Sequence, residues 1–94
     1  MPDVDTQAVT VALNHAMRLL RNGQAGSARY VCSQVVAHLP AHHGALYLMG
    51  LCDLAEHRFE DAVQHLQQAV LASPHDPERL HALGSALVQA GRFF

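Results

Sequence analysis

The sequence predicts an all-α fold of about five helices, set out as antiparallel helix–turn–helix pairs in a linear array. Three observations carry this. The chain repeats itself at a spacing of 34 residues: Ala28 and Ala62, Pro40 and Pro74, Leu46 and Leu80, Gly50 and Gly84, and Arg58-Phe59 and Arg92-Phe93 all keep one register. Apolar residues inside the repeat recur at helical spacing, as at Leu46, Met49, Gly50 and Leu54, or at Phe59, Ala62, Val63, Leu66, Ala69 and Val70, without strict two-residue alternation. Turn and cap residues stand where such helices must end.

The first helix is expected over about 5–22, with Asp3 or Asp5 as its cap, and Gly23 and Gly26 bracketing the turn that follows. The second, over about 25–38, is stopped by Pro40, which cannot continue a helix. The third spans about 43–56. The fourth, about 59–72, opens on Glu60-Asp61, whose charges suit the positive end of the helix dipole, and closes before Pro74. The fifth, about 77–90, has the strongest start signal: Asp76 to cap free N–H groups, Pro77 with no N–H to lose, and Glu78 on the dipole. Gly91 stands where the next turn needs a left-handed residue.

Composition excludes several classes of function. The chain has 94 residues, which bounds it to one small domain. Its net charge is −2, and all six basic residues are arginine, so it offers no dense basic face for nucleic acid or for an anionic membrane. No apolar run reaches the roughly 18 residues of a membrane span. The start, Met1-Pro2-Asp3-Val4-Asp5, is acidic and lacks the positive segment of a signal peptide. A cytoplasmic protein is the expectation. Cys32 and Cys52 lie in apolar surroundings and read as free buried thiols.

The register resembles the tetratricopeptide repeat family. The family pattern runs Trp, Leu-Gly and Tyr on a first helix, then Ala, an aromatic and a closing Pro on and after the second. The second unit follows it with Leu46 in the Trp slot, Met49-Gly50, Ala62, Leu66, Ala69 and Pro74. The third offers Leu80, Leu83-Gly84, Leu87 and Gly91-Arg92-Phe93, and the first is the weakest match, with Ala12, His15-Ala16, Leu19, Gly23, Ala28, Cys32 and Pro40. Asp53 stands in a tyrosine slot and His15 in a leucine slot, so each needs a hydrogen-bond partner or a solvent edge. The resemblance implies a right-handed α-solenoid with units at about 9–42, 43–76 and 77–94, the last lacking its second helix. Small residues at Ala28, Gly50, Ala62 and Gly84 would let paired helices approach closely.

The resemblance also implies a function. Such arrays bind protein segments on the concave face formed by the first helices of each unit. Here that face would carry Leu13, Asn14, Met17, Leu20 and Arg21 from the first unit and Tyr47, Leu48, Leu51 and Leu54 from the second. The third would add Glu78, His81, Ala82, Ser85 and Gln89. A mostly apolar groove of this kind suits an apolar helix or an extended peptide with hydrophobic anchors. The Lys/Asn/Arg carboxylate clamp of chaperone-tail receptors is not present, since Leu13, Met17, Leu48, Glu78 and Ala82 stand there; nor is the asparagine ladder of arrays fused to glycosyltransferases, of which only Asn14 remains. The incomplete third unit would leave Leu80, Leu83, Leu87, Phe93 and Phe94 uncovered, which points to a piece of a longer protein and to homo-oligomers formed through this helix. The expected function is a protein-interaction scaffold. The alternative is a substrate-recruiting segment of a larger enzyme, such as a glycosyl- or sulfotransferase, or of a secretion-chaperone-type protein.

Nothing in the residues calls for catalysis, a cofactor or a metal. Ser27, Ser33, Ser73 and Ser85 stand outside any nucleophile-elbow pattern, and there is no Gly-rich phosphate loop. His38, His42 and His43 cluster around Pro40, but a proline break separates the first from the others, and adjacent His42 and His43 would point apart on a helix. Solvated loop histidines are the expectation.

Overall fold

The computed structural model describes residues 6–91. They form α1 (Thr6–Arg21), α2 (Ala25–His38), α3 (His43–Ala55), α4 (Phe59–Ala72) and α5 (Pro77–Gln89), with no strand among the described residues. Each helix packs on the next, and α3 also touches α1 and α5, giving a slab of 45 × 27 × 20 Å. The caps proposed at Asp3 and Asp5 lie outside the described residues.

The 34-residue register reappears as repeated backbone chemistry. At the end of α1, Gly23 has φ +79°, its N–H donates to the Leu20 carbonyl (3.1 Å), and the Gln24 N–H donates to the Leu19 carbonyl (2.8 Å). At the end of α3, His57 takes the same place with φ +60°, donating to Leu54 (3.1 Å) while Arg58 donates to Asp53 (2.8 Å). Both ends are the double-bonded helix stop that needs a left-handed residue. Gly91, at φ +76°, holds the third equivalent position. Helix starts repeat as well. The Asp76 carboxylate accepts from the Glu78 N–H (3.0 Å), and one repeat earlier His42 Nδ1 accepts from the Ala45 N–H (3.2 Å). The start of α4 has no side-chain cap from Arg58; Glu60 and Asp61 in its first turn supply the charge that suits the dipole.

The core is built from small residues, which brings the helices close. Ala16, Ala28, Cys32, Leu48 and Cys52 form one buried cluster between α1, α2 and α3. Ala62, Val63, Leu66, Ala82 and Ala86 form another across α4 and α5. Val9, Val35 and Ala45 close the end beside α2. At the tightest crossing, a Cβ on Gly50 would lie 2.5 Å from both Cγ and Cδ2 of Leu66. Gly84 behaves differently from its register mate: a Cβ there would meet nothing within 4 Å. The close approach expected at Gly84 is absent because no helix among the described residues lies over it.

Asp53, in the tyrosine slot, is fully buried. It accepts from Arg29 of α2 and from His65 Nδ1 of α4 (2.6 Å), while Arg29 Nε also donates to Glu56 (2.9 Å). Burial opposes the Arg29 charge, but Glu56 and Asp53 outweigh it and hold the guanidinium above its ordinary value. One carboxylate thus ties three helices. His15 takes the other course and is exposed. Cys32 and Cys52 are free and buried, and the hydrogen bond to Cys52, with burial, pushes the Cys32 thiol up.

Candidate functional site

Spacing on two helices builds one cleft. Tyr47, Leu51 and Leu54 stand at i, i+4 and i+7 on α3, and Glu78, His81, Ala82 and Ser85 stand at i, i+3, i+4 and i+7 on α5. With Pro77 they line a concavity of about 390 Å³ between the two helices, within the usual size of binding clefts. Its floor is apolar, and the same Tyr47, Leu51 and Leu54 lean on the α4–α5 core, so the wall is held from behind.

The rim is polar and acidic. Burial first, then the Glu78 and Asp76 carboxylates, raise the Tyr47 phenol above its ordinary value. The hydroxyl therefore stays protonated near neutrality and can donate a hydrogen bond. Arg79 is drawn away beneath the cleft. It is 8% exposed; Nη1 donates to the Ala69 carbonyl at the end of α4 (2.9 Å) and Nη2 to His43 Nδ1 (2.8 Å). Its Nε lies 3.5 Å from Asp76, and its guanidinium carbon sits 5.6 Å from the Tyr47 ring centre. This one side chain fastens the start of α5 to α3 and α4.

Of the groove residues expected from the sequence, Tyr47, Leu51, Leu54, His81 and Ser85 come together here. Leu48 does not. It is 6% exposed and packed in the α1–α2–α3 core, because each position along a helix turns the side chain by about 100° and Leu48 stands roughly a quarter turn from the Tyr47–Leu51–Leu54 stripe, toward α1 and α2. From α1, Leu13, Met17 and Leu20 are half-buried against that same core, while Asn14 and Arg21 are exposed; none of them lines the cleft.

The uncovered stripe expected on α5 is split. Leu83 and Leu87 are half-buried against the core they share with Val63 and Leu66, whereas Leu80 is 45% exposed. Val88, not anticipated, is 58% exposed. Phe93 and Phe94 lie outside the described residues. The histidines also separate. His42 precedes α3, so it does not point away from His43 as it would on a helix: the two rings lie near-parallel with centres 6.0 Å apart. Among the described residues no three His, Cys, Asp or Glu side chains converge as a metal site would need, and no helix is long and apolar enough to cross a membrane.

Arg79 is the cleft-supporting residue that the sequence reading missed. Its only signal was a charge at the register position that Ala45 occupies one repeat earlier.

A family model described as tetratricopeptide repeat matches residues 19–87. The chain belongs to the tetratricopeptide repeat family. Repeats of this family generally mediate protein–protein interaction and are typically non-catalytic. Comparison with curated proteins gives no match.

Proposed function

We propose that this chain is a protein-interaction module that holds an apolar segment of a partner protein in the cleft between α3 and α5. The observation that carries the reading is the concavity itself. Its floor is aromatic and aliphatic, its rim is polar, and its walls are two helices fixed by a shared core and by Arg79. Apolar floors with a few convergent polar groups suit hydrophobic anchor residues. A micromolar affinity, about −8 kcal/mol, is expected. Selection of displayed random dodecapeptides on the native chain tests this. Binders should be recovered, and most should lose affinity at least tenfold for Ser85→Trp, which fills the cleft from its edge. If recovered peptides bind both proteins equally, the cleft is not the site.

A second surface is favoured by one comparison along the register. Leu46 is 6% exposed and Gly50 is buried under Leu66, but Leu80 is 45% exposed and Gly84 is open. This outer face of α5 is the candidate surface for self-association. Light scattering over a hundredfold concentration range should then show mass rising with concentration for the native chain and a constant mass for Leu80→Glu. A constant monomer mass for both would remove this reading.

A further inference from the structure

The cleft is unbalanced in charge. Glu78 lines it, and no Arg or Lys stands among the lining residues. Among the described residues no cation forms an ion pair with Glu78. The neighbouring Arg79 does not serve, because its guanidinium is engaged with Asp76, the Ala69 carbonyl and His43. The other arginines with carboxylate partners, Arg29 and Arg58, are taken up by Asp53 and Glu56 on the far side of α3. Asp76 is thus matched within the fold and Glu78 is not. Glu78 lines the same concavity as Tyr47, Leu51 and Leu54, so its unmatched charge faces the apolar floor as well as the rim.

We propose that the occupant of the cleft is a protein segment that sets a lysine or arginine beside its apolar anchor, with the cation meeting Glu78. The proposal rests on the cleft being the binding site. The chemistry then follows from complementarity. An apolar side chain fills the floor over Leu51, Leu54 and Ala82, and a cation one helical turn or two extended residues away reaches the carboxylate. An acidic tail would bring like charge to Glu78 and Asp76 and is disfavoured. The contribution is modest because Glu78 is exposed to solvent, and it weakens with salt. It selects among apolar segments and does not create the affinity.

The test uses the dodecapeptides whose binding is lost in Ser85→Trp. They should be enriched in Lys or Arg within four positions of a Leu, Met, Phe or Trp, relative to the unselected library. For the tightest of them, measured by fluorescence anisotropy, Glu78→Gln should weaken binding roughly threefold to fivefold, Glu78→Lys should weaken it further, and Glu78→Asp should retain most of it. Raising the salt from 50 to 300 mM should weaken the native complex more than the Glu78→Gln complex. Glu78 also stabilises the first turn of α5, so each variant's helical circular dichroism and melting point are recorded, and the Glu78→Gln comparison is made well below its melting point. Cleft-dependent peptides without cation enrichment, or with affinity unchanged in Glu78→Gln, overturn the charge assignment and leave the cleft reading standing. Failure to recover any peptide sensitive to Ser85→Trp overturns both.

Discussion

Asp53 shows how much one residue decides in so small a core. A carboxylate with no exposure survives only if its charge is answered. Arg29 and His65 answer it from the two flanking helices, and Glu56 holds Arg29 from the solvent side. The two carboxylates on Arg29 should therefore differ sharply in weight. Arg29→Met leaves Asp53 with His65 alone and should cost about 3 kcal/mol in urea unfolding. Glu56→Gln removes only the half-exposed partner and should cost less than about 1 kcal/mol. Equal costs would mean that Asp53 draws its support from elsewhere. Gly50 is decided by space. Leu66 is fully buried and cannot swing clear of a Cβ placed 2.5 Å away. Gly50→Ala gains about 1 kcal/mol of helix propensity but forces α3 from α4, an overpacking cost of about 1–3 kcal/mol. The expected outcome is a lower melting point, restored in part by Leu66→Val. At Gly84 the space is open, so Gly84→Ala should gain the propensity term alone and raise the melting point.

At the scale of the element, the helix ends separate what the sequence made legible from what it did not. All five helices were legible, because helical spacing, Pro40, Pro74, Gly23 and the Asp76-Pro77-Glu78 start are local signals whose physics needs no tertiary partner. The end of α3 near residue 56 was legible too, but the left-handed residue that closes it, His57, was not, because histidine signals that conformation far more weakly than glycine. Only the register discloses it: positions 23, 57 and 91 hold Gly, His and Gly, all with positive φ. A non-glycine residue there is strained by about 1 kcal/mol, and the edge contact of the His57 ring with Phe59, centres 5.6 Å apart, offsets some of this. His57→Gly should therefore raise stability by about 0.5–1 kcal/mol, read as a higher urea midpoint at unchanged slope; a lower midpoint would make the Phe59 contact the larger effect. The cleft was legible in part for the same kind of reason. Tyr47, Leu51 and Leu54 follow from spacing on one helix. The burial of Leu48 does not, since the apolar pattern runs almost all round α3 and the sequence alone cannot phase a helix buried on so much of its surface. Arg79 was invisible because its acceptors, the Ala69 carbonyl and His43, come from two other helices.

The whole molecule is a row of helices with α3 at its centre, the one element that meets all four others. A row of this kind need not open all at once: stability is the sum of each pair's own packing and its interface with the next, and the ends can open before the middle. Both large cores lean on α3, the first through Leu48 and Cys52 and the second through Tyr47, Leu51 and Leu54. The α3–α5 cleft, by contrast, takes one wall from α5, which rests on α4, more lightly on α3, and on the single hook of Arg79. Amide hydrogen exchange should thus be slowest in α3 and faster in α5. Arg79→Met keeps the apolar stem but gives up the charged hydrogen bonds to Ala69 and His43. Each such bond contributes about 1.5 kcal/mol or more, so exchange in α5 should accelerate at least tenfold while α1 and α2 change little. Peptide affinity should fall with it, because the cleft exists only while α5 is docked. Uniform acceleration in all five helices would show that the array unfolds as one unit. In that case the rigidity of the cleft belongs to the entire row and not to the hook at its edge.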